Sequence, residues 1–172
     1  MTVDGSPHAP VLVDAVIGFL AGRGTVVDMT LGAGGHAHAL LDSGVGRVIG
    51  IDRDPDALAI ASERLASFGD RLQVMCSTFA EAVVPGPVDG VLYDLGVSSM
   101  QLDRAERGFG YRQDGPLDMR MGGDGPSATD LVNGLPEEEL ADLIFEFGGE
   151  HRSRRIARAI VRARERAPIE TT

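Results

Sequence analysis

The chain has 172 residues, of which 43% are hydrophobic, and this length and composition are typical of one globular domain, with or without an appendage. No apolar run approaches the roughly 18 residues that a membrane span needs, and no signal-peptide pattern opens the chain. Cys76 is the single cysteine, which excludes an internal disulfide. We therefore expect a cytoplasmic protein without membrane attachment.

The net charge of -10 is unevenly distributed along the chain. All 16 basic residues are arginines, and seven of them lie in residues 152–166. An acidic protein is not expected to coat nucleic acid over its whole surface. The arginine-rich segment has two interpretations, a solvated basic helix or a local phosphate-binding face, and the sequence leaves both open.

Strands and helices alternate along the first half of the chain. The helical segments carry apolar residues at helical spacing, and the strands are short apolar runs rich in β-branched residues. In chain order we predict a helix over 11–20, a strand over 25–30, a helix over 34–41, a strand over 47–51, a helix over 54–66, and strands over 72–76 and 88–95. This alternation predicts an α/β fold with a parallel sheet and right-handed crossovers.

The alternation stops after the fourth predicted strand. Residues 108–125 are rich in glycine and arginine without a clear period, which predicts a long loop. Helical patterns follow over 136–147 and from about 152 to 166. We therefore divide the chain into a cofactor-binding core, residues 1–103, and a substrate loop with the start of a helical appendage, residues 104–172.

A glycine cluster, GAGGHA (32–37), follows the first predicted strand and formally satisfies the dinucleotide-binding pattern, a weak signal when taken alone. Asp52 lies 20 residues after Gly32 at the end of the second strand, where an acid binds ribose hydroxyls in such folds. A solvent-facing acid is the alternative interpretation of Asp52. Asp28, just before the turn, suits a cation such as the ammonium of S-adenosylmethionine better than a pyrophosphate.

A second acid, Asp94, lies near the end of the predicted fourth strand. In an open α/β sheet, ligands bind at the carboxyl ends of the strands near the point where the strand order reverses. Because the first and fourth strands flank this point, we expect Asp28, Gly34 and Asp94 to converge there.

Six segments carry a resemblance to a known family: HAPVL (8–12), DMTLGAGGH (28–36), GIDRDPDAL (50–58), DGVLYDLGVSSMQLDRAERGF (89–109), DGPLDMRM (114–121) and RIARAI (155–160). On these motifs the chain resembles the RsmH, or MraW, family of bacterial 16S ribosomal RNA (cytosine-N4)-methyltransferases. Chains of that family are nearly twice as long. We therefore expect a fragment whose fourth strand is an exposed apolar edge.

The resemblance implies a class I S-adenosylmethionine-dependent methyltransferase fold, Rossmann-like and incomplete here, with a helical appendage. It implies S-adenosyl-L-methionine as donor and, as acceptor, a cytidine in the decoding region (P site) of 16S ribosomal RNA in the small ribosomal subunit. Carried over by motif position, the cofactor contacts are Gly34, Gly35, His36, Asp52, Phe79, Asp94 and Gln101. We predict no metal site, and the oligomeric state stays open, with a homodimer as one alternative.

The chemistry of the expected reaction points to Asp94 as the catalytic residue. Methyl transfer from a sulfonium is an in-line displacement to which an enzyme contributes mostly positioning. The exocyclic amine of cytosine is a poor nucleophile that improves when an acceptor takes a hydrogen bond from its N–H. We assign that acceptor to Asp94, with a purely capping or cofactor-binding role as the alternative. Cys76 lies within the third strand, where we expect a buried side chain rather than the thiolate that carbon-5 methylation needs.

Residues 104–121 supply the predicted RNA contacts, with aromatic side chains for base stacking and arginines for phosphates. These residues are Phe109, Tyr111, Arg107, Arg112 and Arg120. Two other functions remain open. An NAD(P)-dependent oxidoreductase would need a proton donor such as Tyr-x-x-x-Lys, and the chain has two tyrosines and no lysine. The other is a non-catalytic fragment that binds S-adenosylmethionine or the ribosome.

Overall fold

The computed structural model describes residues 10–172, which fall into two compact units, one ending at Ser98 and the other spanning Ser99–Thr172. The units therefore divide a few residues before the end of the predicted core at residue 103. The first unit is an α/β structure and the second is built from helices and loops. No helix within residues 10–172 is both long enough and apolar enough to cross a membrane.

Helices and strands alternate in the first unit, as the sequence predicts. Its elements are α1 (Val13–Leu20), β1 (Thr25–Asp28), α2 (Gly35–Asp42), β2 (Arg47–Asp52), α3 (Pro55–Arg64), β3 (Leu72–Cys76) and β4 (Gly90–Leu92). All strand pairs are parallel, and the strand order is β3-β2-β1-β4. This order matches the first four strands of the doubly wound 3-2-1-4-5-6 sheet. The prediction of an α/β fold with a parallel sheet is confirmed.

The interiors of the two central strands, residues 26–27 and 48–51, carry no polar side chain because both faces of the sheet are covered. On one face, Val26 and Val48 pack with buried residues of α2 and α3. On the other, Val27, Ile49 and Ile51 form a second cluster, which Met75 and other partly buried side chains cover. Successive residues of each strand thus pack into the apolar clusters on opposite faces of the sheet, and the sheet lies between these two clusters.

Two strands, β1 and β4, end at earlier residues than predicted. β1 ends at Asp28 because the next residues turn, with the Thr30 amide donating to the Asp28 carboxylate. β4 has three residues instead of the eight predicted, and it forms one edge of the described sheet. Tyr93 and Leu95 beyond it are exposed, in line with the expected apolar edge.

The prediction that Cys76 is buried was wrong. The residue does lie in the third strand, but it is exposed. The reason is the strand order, since β3 is the other edge of the described sheet and none of its residues is fully buried.

The second unit contains the two predicted long helices and two short ones that the sequence analysis missed. Its helices are α4 (Ser99–Asp103), α5 (Ala128–Gly134), α6 (Glu137–Gly148) and α7 (Ser153–Arg164). α5 is too short for a clear apolar period, but a capping box between Ser127 and Asp130 begins it. α6 and α7 pack together around Leu140, Ala141 and Ala157.

Candidate functional site

The carboxyl ends of three neighbouring strands bring three acids together. Asp28 ends β1, Asp52 ends β2, and Asp94 follows β4. Parallel pairing places Asp28 opposite Leu92 of β4 and Gly50 of β2, so these strand ends meet at one edge of the sheet. Asp28 and Asp94 are thus neighbours, as the sequence analysis expected.

Two hydrogen bonds join the glycine turn between β1 and α2 to the end of β2. The amide of Gly32 donates to Oδ2 of Asp52 at 2.8 Å, and the amide of Leu31 donates to the carbonyl oxygen of Ile51 at 2.9 Å. Gly34 caps α2 in the left-handed conformation, with φ 76°. The turn is therefore tied to the end of β2 before any ligand arrives.

Packing within the protein, as well as ligand approach, explains the two glycines at the start of α2. A Cβ on Gly34 would lie 2.7 Å from Cδ1 of Leu65, and a Cβ on Gly35 would lie 2.8 Å from Cγ of Pro10. Real side chains almost never come so close. The sequence pattern predicted these glycines but not this second reason for them.

Asp28 is the most enclosed acid of the site, with 1% of its surface exposed. Its Oδ1 accepts a hydrogen bond from the Thr30 amide at 3.2 Å, whereas Oδ2 has no hydrogen-bond partner among the described residues. Burial raises the pKa of Asp28 to about 6, and the charges of Asp52 and Asp94 act in the same direction. A buried, unpartnered carboxylate oxygen in an acidic surrounding favours a cationic ligand group.

His36, in the first turn of α2, connects the site to the segment before α1. Its ring is buried, and Nε2 lies 2.8 Å from the carbonyl oxygen of Val11. Because a carbonyl oxygen only accepts, Nε2 carries the hydrogen of this bond. Nδ1 on the other side of the ring lies 3.7 Å from Oδ2 of Asp94.

Asp94 itself is half-exposed, and its position is set by the turn after β1. Its backbone amide donates to Oγ1 of Thr30 at 2.7 Å. The backbone of Asp94 is therefore anchored to this turn, and about half of its side chain is open to solvent. An acceptor in this position can take a hydrogen bond from a substrate that comes from solvent.

Phe79 follows β3, and half of its surface is exposed. Its ring makes an edge-to-face contact with Tyr93, with centroids 5.8 Å apart and planes at 87°. Such a pair holds an aromatic face in place for stacking. Tyr93 was missed as a site residue, although its place directly before Asp94 in the sequence is a signal that could have identified it.

The remaining predicted residues belong to the second unit. Gln101 is buried on α4, and its predicted cofactor contact stays a prediction. Phe109 is half-buried, whereas Tyr111 is 87% exposed and Arg112 is also exposed. These three residues keep their predicted RNA role, and the last two are accessible for it.

Arg107 and Arg120 instead hold their own loop together. The guanidinium of Arg107 donates to the carbonyl oxygen of Met121 at 2.8 Å and, at 3.3 Å, to that of Arg120. Arg120 donates through Nε and Nη2 to both carboxylate oxygens of Asp118, at 2.9 and 2.6 Å. These bonds from Arg120 lower the pKa of Asp118 to about 2. Both arginines therefore have structural contacts that the sequence analysis did not foresee.

Comparison with known proteins identifies the family of the chain. The MraW methylase family matches the chain over residues 5–172. Ribosomal RNA small subunit methyltransferase H of Methylobacterium sp. (strain 4-46) is 57% identical over 99% of this chain and 53% of its own length. The protein of the same name from Cereibacter sphaeroides (strain ATCC 17029 / ATH 2.4.9) is 54% identical over 96% of this chain and 51% of its own.

The chain thus spans about half the length of the curated relatives it matches. Among solved structures, a putative ribosomal RNA methylase from Clostridium thermocellum aligns with 49% of this chain and 49% of its own, at 28% identity and a TM-score of 0.43. The family match covers nearly the whole sequence and confirms the predicted resemblance. The chain belongs to the MraW methylase family.

Proposed function

We propose that this chain is the S-adenosyl-L-methionine-binding part of a methyltransferase that modifies small-subunit ribosomal RNA. The finer proposal is methylation of the exocyclic N4 amine of a cytidine in the decoding region (P site) of 16S ribosomal RNA. Support comes from the methylase family and from relatives named as small-subunit ribosomal RNA methyltransferases. A cytoplasmic location and the small ribosomal subunit as partner are parts of the same proposal.

The observation that carries this proposal is the buried carboxylate of Asp28 beside Asp52 and Asp94. Its unpartnered Oδ2 and raised pKa mark a place where a positive group would be stabilised. A dinucleotide would instead bring a pyrophosphate towards these acids, which repel it. The site therefore favours a cationic, ribose-bearing cofactor over a nicotinamide cofactor.

The residues of the first unit fit S-adenosylmethionine. Asp52 accepts two backbone hydrogen bonds, from Gly32 and from Asp54, and a carboxylate has about four acceptor sites, so two remain for ribose hydroxyls. Asp28 would face the ammonium, and Phe79 would stack on the adenine. When bound, the cofactor supplies an electrophilic methyl group on its sulfonium.

Asp94 has the position and chemistry of the catalytic acceptor in this proposal. Its carboxylate accepts a hydrogen bond from the cytosine amine, which localises the nitrogen lone pair. It then takes the proton that the amine loses and passes it to solvent. Nδ1 of His36 lies 3.7 Å from Oδ2, on the side of Asp94 away from solvent-borne substrate, and is its neighbour within the protein.

Calorimetric titration of the 172-residue chain tests the cofactor assignment. We expect saturable binding of S-adenosylhomocysteine and no binding of NAD at the same concentration. Circular dichroism establishes that the chain is folded under these conditions. A folded chain that prefers NAD, or that binds neither ligand, would overturn the proposal. A second assay measures methyl transfer to isolated small ribosomal subunits. If the wild-type chain transfers methyl groups, and Asp94→Asn does not although it still binds S-adenosylhomocysteine, the chain is an enzyme and not a non-catalytic binding module.

A further inference from the structure

The three acids at the carboxyl ends of the strands are not equally supported by the protein. Asp52 accepts the backbone amides of Gly32 and Asp54, one on each carboxylate oxygen. Asp94 is half-exposed, so water can solvate its charge. Asp28 is 1% exposed, and among the described residues only its Oδ1 accepts a hydrogen bond, at 3.2 Å. The charge of Asp28 is therefore the least stabilised of the three.

The groups around Asp28 do not compensate its charge. The titratable groups that act on it are His36 of α2, Asp52 of β2 and Asp94 after β4, and only the imidazole favours the charged form. That imidazole places Nε2 against the carbonyl oxygen of Val11 and Nδ1 towards Asp94. Burial outweighs these influences and raises the pKa of Asp28 to about 6.

A carboxylate in such surroundings is stabilised either by a proton or by a cation. Moving an unpaired charge out of water costs far more than moving the neutral acid, and a nearby positive group reverses this preference. In the free chain the proton is the positive charge at hand. In the complex the ammonium of the cofactor takes its place, because a neutral carboxylic acid has no charge to attract that ammonium.

We propose that Asp28 exchanges its proton for the ammonium group of the cofactor, so that cofactor binding and proton release are one coupled event. The proton leaves the carboxyl group for solvent, and the ammonium keeps its own protons. One positive charge therefore enters the site as another leaves it. This inference rests on the proposed function, because it takes S-adenosylmethionine as the ligand of the same site, and it adds a pH dependence to the loading of that site.

Calorimetric titration of the 172-residue chain with S-adenosylhomocysteine, in buffers of different ionisation enthalpy, counts the protons released on binding. Near pH 6 we expect about half a proton, because the free acid is half ionised at its pKa, and near pH 8 almost none. The affinity should then fall about tenfold from about pH 7 to about pH 5. A proton count of zero at pH 6, or an affinity that does not change with pH, would overturn the inference.

A second ligand tests whether the ammonium causes the release. The probe 5′-methylthioadenosine keeps the adenosine and the thioether but has no ammonium group. Its binding should release no proton, and its affinity should be the same at about pH 5 and about pH 7. If it releases as many protons as S-adenosylhomocysteine does, the release belongs to the adenosine part, and the inference is wrong.

Asp28→Asn tests whether the proton comes from this side chain. The variant should release no proton at pH 6 and should bind S-adenosylhomocysteine at least about tenfold more weakly at about pH 8. Its affinity for 5′-methylthioadenosine should equal that of the wild-type chain. Asp70→Asn, at an exposed acid before β3, is the matched control and should keep the wild-type proton count. Release that persists in Asp28→Asn would place the proton on another group and overturn the inference.

The wild-type titrations distinguish this inference from the proposed function and do not depend on the folding of a variant. Binding of S-adenosylhomocysteine without proton release at pH 6 would overturn only the exchange at Asp28, and the cofactor assignment would stand. A folded wild-type chain that does not bind S-adenosylhomocysteine would overturn both.

Discussion

The carboxylate of Asp52 accepts a hydrogen bond from the amide of Gly32 at 2.8 Å, so the end of β2 holds the turn that follows β1. The other carboxylate oxygen accepts the amide of Asp54 at 3.0 Å. The residue predicted to bind ribose thus also orients the glycine turn. A ligand that reaches this edge of the sheet meets a preorganised acceptor.

Asp52→Asn should weaken S-adenosylhomocysteine binding at least about tenfold, because hydrogen bonds to a charged group are worth about 1.5–3 kcal/mol. The asparagine side chain keeps one acceptor oxygen, but an NH2 group replaces the second carboxylate oxygen. Calorimetric titration measures the change. Asp70→Asn, at an exposed acid in the turn before β3, is the control and should bind like the wild-type chain. Equal weakening in both variants would mean that only overall charge matters.

Gly34→Ala should destabilise the first unit more than Gly44→Ala does. Both glycines have positive φ, of 76° and 93°, where an alanine costs roughly 1–2 kcal/mol. Only at Gly34 would the new methyl also collide with Leu65, which adds about 1–3 kcal/mol, whereas nothing lies within 4 Å at Gly44. Denaturant unfolding of the two variants gives the difference. If the two variants are equally stable, the Leu65 side chain moves aside at no cost in free energy, and the packing explanation of Gly34 is wrong.

The order of the elements in the first unit was predictable because each has a strong local signal. Val26 and Val27, with Ile49 and Ile51, form the apolar runs that only strands covered on both faces carry. Strand ends were less predictable. β1 ends where the Thr30 amide donates to the Asp28 carboxylate and the chain turns, whereas the prediction continued the strand to Thr30.

Site residues that lie next to a strand end were predictable from the sequence. Side-chain hydrogen bonds between residues distant in sequence were less predictable. Asp28, Asp52 and Asp94 follow from the sheet topology. The contact from His36 to Val11 spans 25 residues of sequence, and no local pattern indicates it. In the same way, an arginine in a loop can bind a phosphate group or carbonyl oxygens of the same loop. The sequence alone could not decide between these two roles for Arg107.

Arg107→Gln should lower the free energy of unfolding by about 1–2 kcal/mol, because its guanidinium satisfies carbonyl oxygens of Arg120 and Met121. Arg112→Gln should change it by less than about 0.5 kcal/mol, since Arg112 is exposed. For RNA binding we expect the reverse. Arg112→Gln should weaken RNA binding although its free energy of unfolding stays that of the wild-type chain. Denaturant unfolding and RNA anisotropy on both variants test this. A stable Arg107→Gln variant would remove the structural role.

Asp28→Asn should stabilise the protein above about pH 6. The pKa of Asp28 is raised from 3.8 to about 6 in the folded chain, so between these values the folded state binds more protons than the unfolded one. The free energy of unfolding therefore falls as pH rises through this window, by roughly 3 kcal/mol in total. Asparagine can keep the bond from the Thr30 amide and carries no charge to bury.

Denaturant unfolding of both proteins at about pH 4 and about pH 8 measures this effect. The variant should exceed the wild-type chain by up to roughly 3 kcal/mol at the higher pH and match it at the lower. Asp14→Asn, at an exposed acid of α1, should show no such difference. A variant that gains no stability at pH 8 would contradict the raised pKa. Greater stability combined with weaker S-adenosylhomocysteine binding would show that the buried charge is kept for the ligand, because only a bound cation offsets its desolvation.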